Sequence, residues 1–333
     1  MKALRQLSHG DPAEVVKMID LPEPTPGPED IVIRMEAAAV HLADIKVMRG
    51  EEEGFHRNSF PFTPGYEGVG RVIAVGGKVT QFKIGDRVFP WWGAGTFAEL
   101  VCTPAAKAIP APEGDARQLA LMLVNGMTAV VLLEDFADFA PGEWILQNGA
   151  NSNCGRYVIV LAKERGVRTV NVIRRPEMAD ELKRLGADSI VLDCDDPAEF
   201  KRRVDEATGG AVIRVGIDMV AGAATGRMAH CLAYDGTVVN YGYISGRSCE
   251  IHFRDLFLRN VKLVGMSTAR GLAKRSMATV RAIYADLAGK IADGRLTAAI
   301  AATYPLDRAS EAFAHAQRTG AERDGKIILL PNG

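Results

Sequence analysis

Residues 143–175 constrain the fold of this chain more than any other stretch. They read Glu-Trp-Ile-Leu-Gln-Asn-Gly-Ala-Asn-Ser-Asn-Cys-Gly-Arg, then a helical run, then Thr-Val-Asn-Val-Ile-Arg-Arg. An apolar strand enters a turn of small residues, a helix follows, and a second strand ends on two arginines. Small residues let backbone approach a pyrophosphate, and a helix N-terminus turns free N–H groups and partial positive charge toward it. Asn151, Ser152, Asn153, Cys154 and Gly155 are therefore the expected pyrophosphate cradle. Gly149 and Gly155 supply two of the usual three glycines. Asn153 stands in the middle place, where its tolerance of positive φ would preserve the turn. Arg174 lies 19 residues beyond Gly155, near the ~20 that separate such a turn from the residue reading the adenosine ribose. An acidic residue there selects NAD. The guanidinium forks of Arg174 and Arg175 suit the 2′-phosphate of NADP(H) instead. The opposing reading of the pair is a solvated strand end ahead of a helix started by Pro176.

The rest of the chain falls into two patterns. Up to about residue 120, short Val/Ile runs (30–35, 70–75, 85–90, 98–102) are broken by Pro and Gly, which reads as a small barrel or sandwich. Pro22, Pro24, Pro26 and Pro28 make an extended connection that cannot be helical. From about 121 helix and strand alternate, with strands expected at 143–149, 168–174, 189–193, 212–220, 237–242 and 262–267. Helices are expected between them, including 178–185, 198–206 and 226–233. Such alternation argues a parallel sheet covered on both faces. From about 269 the sequence predicts a long helix, a strand near 302–306, a helix over 308–318 and a last strand at 326–330.

Composition excludes some classes of function. At 333 residues with 47% apolar and 24% charged content the chain can fill two domain cores. A net charge of −1 gives no global drive toward nucleic acid or an acidic membrane. No apolar run reaches the ~18 residues of a membrane span, and the first residues lack a signal-peptide core. Five scattered cysteines suggest reduced thiols, so a cytoplasmic protein is expected.

Pro64-Gly-Tyr-Glu-Gly-Val-Gly70, Gly85-Asp-Arg-Val88, Asn125-Gly-Met-Thr-Ala129 and Tyr241-Gly242 resemble, in this order, the medium-chain dehydrogenase/reductase superfamily. The resemblance implies an α/β protein with a GroES-like β-rich catalytic domain (1–120 plus 269–333) and a doubly wound parallel-sheet Rossmann domain (121–268) that binds NADP(H). Zinc-dependent members carry a catalytic cysteine in the segment here reading Ala39-Val-His-Leu-Ala-Asp44, and a histidine where this chain has Tyr66. Neither is present, and the four-cysteine lobe is replaced by Phe89-Pro-Trp-Trp-Gly-Ala-Gly. His41, Asp44 and Glu67 remain as N and O donors, but no metal is expected.

The turn 147–155 and the strand end 171–176 look like those of the zinc-free quinone and 2-enoyl thioester reductases, as do Ile217-Asp-Met-Val-Ala-Gly and Asn240-Tyr-Gly. Those enoyl reductases carry a catalytic tyrosine just after the position of Gly50, where this chain has Glu51-Glu-Glu-Gly-Phe55. The expectation is a zinc-independent NADPH-dependent reductase of a conjugated carbonyl: a quinone, an enone or an enoyl thioester. The alternatives are a carbonyl/alcohol couple and a non-catalytic NADPH-binding sensor.

Reducing an activated C=C requires a positioned cofactor, a polarised carbonyl and a proton source. Tyr66 and His41 are candidates for the proton donor, with water as the third. Asn125 is a candidate for polarising substrate or contacting cofactor, with Thr128 one turn later. Trp91 and Trp92 are candidates for lining the substrate cleft. Tyr241 and Gly242 close a strand end, where cofactors of such sheets bind. The expected partners are a small-molecule substrate and a second copy of the chain, seated on the edge at 261–267, with neither nucleic acid nor membrane.

Overall fold

The structure, a computed structural model, describes residues 1–51, 59–318, 322–323 and 325–333. The chain divides into two compact units, Met1–Leu123 with Met277–Gly333, and Val124–Ser276.

The first unit is built on the strand Asp30–Val40, whose Ile-Val-Ile and Ala-Ala-Ala-Val runs are buried. It pairs antiparallel with Gly68–Val75, Leu100–Pro104 and Lys326–Leu330. Glycine makes the first pairing possible: a Cβ on Gly70 would sit 2.3 Å from the Arg34 carbonyl oxygen. Further pairing with Ile300–Pro305, Arg87–Phe89 and Ile109–Pro110 completes a seven-stranded sheet. Two apolar clusters flank it. One gathers Leu4, Ile45, Met48, Phe97, Phe313 and Ile327, the other Ile31, Ile33, Met35, Val72 and Val88. Prolines 22–28 lie in irregular backbone. Sequence reasoning did not register the hairpin of Lys2–Gln6 with Val16–Asp20, or the helix Leu42–Arg49 that ends on left-handed Gly50.

The second unit carries six strands, all parallel: Trp144–Gln147, Arg168–Ile173, Ser189–Leu192, Ile213–Asp218, Thr237–Asn240 and Lys262–Gly265. In space they run third, second, first, fourth, fifth, sixth. This is the doubly wound order that the alternating pattern predicts, with its reversal between Trp144–Gln147 and Ile213–Asp218. Val170, Val172, Phe200, Met228 and Val238 fill the core.

Three details differ from expectation. Asn153 takes no positive φ: Ser152 is the N-cap and Asn153 is the first residue of the helix Asn153–Glu164, so only Gly149 in the turn is left-handed. The long C-terminal helix is two helices, Thr268–Ala273 and Met277–Ala292, because Lys274-Arg-Ser276 closes the first while the Arg275 guanidinium bonds Asp135 and the Gly271 carbonyl. The sequence reads Tyr234 as a packing residue, whereas its ring is 71% exposed.

Candidate active site

In the first unit the end of Asp30–Val40 delivers His41, which caps the helix Leu42–Arg49. The His41 backbone N–H donates to Asp44 Oδ2 at 2.8 Å, closing a capping box. The ring faces two charges. His41 Nε2 is 2.5 Å from Glu67 Oε1, and Lys326 Nζ is 3.3 Å from His41 Nδ1. An ammonium group only donates, so Nδ1 is the acceptor and Nε2 carries the proton toward Glu67. The other Glu67 oxygen accepts the Leu123 N–H at 2.7 Å. Burial, and then the Lys326 charge, hold the His41 pKa below its ordinary value. Burial pushes the Asp44 carboxyl up to about 8, although backbone N–H groups oppose the shift.

Tyr66 and Glu67 owe their placement to the loop that follows the Gly85-Asp-Arg-Val turn. Gly93 N–H donates to the Tyr66 carbonyl, Gly95 N–H to the Gly65 carbonyl, and Thr96 Oγ1 to the Glu67 carbonyl. Gly65 has φ +111°, and a Cβ there would lie 2.5 Å from Thr96 Oγ1. Trp92 stacks on Tyr66 with centroids 5.5 Å apart and planes 13° apart, and both rings are half-buried. Trp91 lies on the same loop. The 52–55 part of the segment where the enoyl reductases place a tyrosine lies outside the described residues.

In the second unit the strand Trp144–Gln147 leads through Asn148 into left-handed Gly149 and then the helix Asn153–Glu164. The Ser152 hydroxyl caps that helix by accepting the Gly155 N–H at 3.1 Å. Gly155 is required by close packing, since a Cβ there would meet the Ala150 carbonyl oxygen at 2.7 Å. The predicted cradle residues Asn151 to Gly155 therefore form one tight turn onto a twelve-residue helix. The Tyr241 hydroxyl is buried beside Cys154 and Ser152, and burial, reinforced by Cys154, raises its pKa well above the ordinary value. A Cβ on Gly242 would meet the Met219 carbonyl oxygen at 2.5 Å. Arg174 is exposed at the end of Arg168–Ile173, and Arg175 is half-buried with Glu177 3.9 Å away.

Asn125 is buried in a π-turn, Met122–Met127, a rare element that recurs at functional positions. Thr128 begins the next helix, and its hydroxyl pairs with that of Thr268 at 2.7 Å. Sequence reasoning missed Lys326, which nothing in the last strand marks as special. It also passed over Asn148 and Asp218, a buried polar pair at the sheet reversal, although Asp218 stands inside a motif already picked out.

Among the described residues no three His, Cys, Asp or Glu side chains converge as metal ligands. His41, Asp44 and Glu67 do not fit a zinc dication. The imidazole is spent between Glu67 and an ammonium group, which would repel a second cation.

A GroES-like β-sheet unit and a doubly wound parallel sheet with a glycine turn and a helix start at its switch point define a two-unit nicotinamide oxidoreductase fold. Residues 27–113 match the family model of the alcohol dehydrogenase GroES-like domain, and residues 154–284 that of the zinc-binding dehydrogenase. The chain is 31% identical over 327 residues to the mitochondrial enoyl-[acyl-carrier-protein] reductase of Mus musculus, covering 94% of this chain and 84% of that one. A solved mycobacterial structure complexed with NADPH is 28% identical with a TM-score of 0.83, covering 99% of this chain and 100% of the other. A quinone oxidoreductase of Pseudomonas syringae is 27% identical with the same TM-score, covering 99% of each. The chain belongs to the medium-chain dehydrogenase/reductase superfamily, in the branch that holds the enoyl thioester and quinone reductases.

Proposed function

We propose that the protein is a zinc-independent, NADPH-dependent reductase of a conjugated carbonyl compound: a quinone, an enone or a 2-enoyl thioester. The observation that carries the reading is the strand–turn–helix of residues 144–164 at the sheet's reversal point, where left-handed Gly149 turns the chain into a helix start whose backbone N–H groups suit a pyrophosphate. The exposed Arg174 and half-buried Arg175 end the next strand, where the ribose is read. Relatives that reduce quinones or enoyl groups, one of them solved with NADPH, support the same reading.

Residues Asn151–Gly155, Tyr241 and Gly242 would hold the pyrophosphate, and Arg174 and Arg175 the 2′-phosphate. Asn125 and Thr128 complete the proposed cofactor contacts. The cofactor, when bound, supplies the hydride. The protein must then polarise the acceptor carbonyl and protonate the resulting enolate. Tyr66 is the proposed donor, because it is half-exposed and its ring is fixed against Trp92. His41 has both ring nitrogens committed to Glu67 and Lys326, so its proposed part is to hold that corner of the unit. Trp91 and Trp92 are the proposed substrate-lining pair.

The protein is proposed to be a homodimer. Lys262–Gly265 is an edge strand of the six-stranded sheet, and Phe253, Phe257 and Leu258 beside it are more than half exposed. Light scattering reporting twice the 35.8 kDa chain mass is the supporting result. Among the described residues no disulfide joins the five cysteines, which fits a reducing compartment such as the cytoplasm. Among the described residues no helix is long and apolar enough to cross a membrane.

The test is substrate-dependent NADPH oxidation over a panel of quinones, enones and enoyl thioesters. Turnover of one class supports the proposal. Tight NADPH binding with no turnover on any of them would make the protein a sensor.

A further inference from the structure

The second unit contains a buried carboxylate that none of the chemistry above uses. Asp218 is 0% exposed and ends the strand Ile213–Asp218 on one side of the sheet's reversal point. It accepts five hydrogen bonds. Oδ1 takes Asn148 Nδ2 at 2.6 Å, Val220 N–H at 3.0 Å and Ala221 N–H at 3.1 Å. Oδ2 takes Thr225 Oγ1 at 2.6 Å and Asn240 Nδ2 at 3.2 Å. All five donors are neutral, so the negative charge is met by oriented dipoles.

Four of the donors come from three different strand ends, and the fifth, Thr225, lies in the helix Ala223–Cys231. Asn148 follows Trp144–Gln147 and immediately precedes Gly149. Val220 and Ala221 follow Asp218 itself. Asn240 ends Thr237–Asn240 and precedes Tyr241-Gly242. Asn148 also returns a bond, accepting the Met219 N–H at 2.7 Å, and the Tyr241 N–H donates to the Asp218 carbonyl at 2.9 Å. Met219 is thereby held against both glycine turns: a Cβ on Gly149 would stand 3.2 Å from its sulfur, and one on Gly242 2.5 Å from its carbonyl oxygen. Ala221 sits at φ +65°, a conformation a non-glycine residue keeps only when its surroundings fix it. In an open parallel sheet these carboxyl ends at the reversal point are where a dinucleotide lies.

We infer that Asp218 is a positioning residue for the cofactor: it ties the three strand ends into one preorganised cradle and so sets the affinity for NADPH. The inference rests on the NADPH reading above. Asp218 touches no reacting atom. Its removal is therefore expected to act on cofactor binding and to leave the rate at saturating cofactor nearly intact.

The experiment compares wild type with Asp218→Asn, Thr225→Val and the exchange Asn148→Asp/Asp218→Asn. NADPH affinity is measured by fluorescence titration, KM for NADPH and kcat with the best acceptor, and Tm without ligand. Asp218→Asn is expected to weaken NADPH binding and raise its KM at least about tenfold, with kcat within about twofold. The exchange variant restores the amide–carboxylate pair with its ends reversed but sets the new amide nitrogen against the Val220 and Ala221 N–H groups, and is expected to leave the affinity as low as in Asp218→Asn. Thr225→Val removes one donor from Oδ2, leaves the strand ends joined, and is expected to weaken binding by about threefold. If Asp218→Asn does not fold, Thr225→Val decides. Wild-type NADPH affinity in Asp218→Asn, or in Thr225→Val where that variant decides, overturns the inference even if Tm falls. If wild type itself binds no NADPH, the cofactor reading fails first and this inference with it.

Discussion

His41 donates from Nε2 to Glu67 at 2.5 Å while Lys326 reaches its Nδ1 at 3.3 Å, so one buried imidazole separates an acid from a base. Glu67 also accepts the Leu123 N–H. Glu67→Ala leaves the imidazole N–H and that backbone N–H without their acceptor and is expected to cost about 2–4 kcal/mol. Glu67→Gln keeps an acceptor oxygen and should cost no more than half as much. Urea unfolding with unchanged slope measures both, and equal losses for the two variants would contradict the array.

The same corner predicts two pH effects of opposite sign. The folded Asp44 carboxyl, pushed up to about 8, holds its proton where the unfolded carboxyl, near 3.8, has lost it. The unfolded chain then binds fewer protons, so stability from this group is lost as pH rises toward 8. Wild type should lose roughly 3 kcal/mol relative to Asp44→Asn between about pH 5 and pH 8. His41 acts the other way. Its folded pKa is lowered, so the unfolded chain takes up the proton first and stability falls as pH drops through the ordinary 6.5. Unfolding at both pH values checks the prediction. Parallel pH profiles for wild type and Asp44→Asn would show that Asp44 is not held protonated.

Gly155→Ala places a Cβ 2.7 Å from the Ala150 carbonyl oxygen, where only backbone movement makes room. The helix start would shift from the turn, destabilising the protein by about 1–3 kcal/mol and weakening NADPH binding. Thermal unfolding and a nucleotide titration measure the two. Unchanged affinity would detach this turn from the cofactor.

These positions show what was legible in the sequence. Gly149, Gly155 and the alternation of apolar runs with polar helices carry their own geometry, because backbone clearance and burial periodicity are properties of the residues themselves. The six parallel strands and the arginine-ended second strand were readable for that reason. Lys326 was not: it opens an apolar strand, and only the antiparallel pairing of Lys326–Leu330 with Asp30–Val40 brings it to His41. Asp218 was hidden likewise, since the two donors that join it to other strands lie 70 residues before it and 22 after. The helical end of the cradle also escaped, because Ser152 wins the N-cap from Asn153 by reaching the Gly155 N–H.

Tyr66→Phe keeps the stack on Trp92 and removes only the hydroxyl. If Tyr66 supplies the proton, kcat should fall by about 10²-fold or more while NADPH affinity stays within about twofold. Steady-state kinetics with the best acceptor check this. An unchanged kcat would hand the proton to water.

In an NADPH-dependent reductase whose cofactor choice lies at Arg174 and Arg175, kcat/KM for NADPH and NADH on one turned-over acceptor reads that choice. Wild type and Arg174→Ala/Arg175→Ala are compared. Wild type is expected to prefer NADPH by at least about a hundredfold, and the double variant to lose most of that preference, ~2–3 kcal/mol. Equal use of the two nucleotides by wild type, or a preference that survives removal of both arginines, would contradict it.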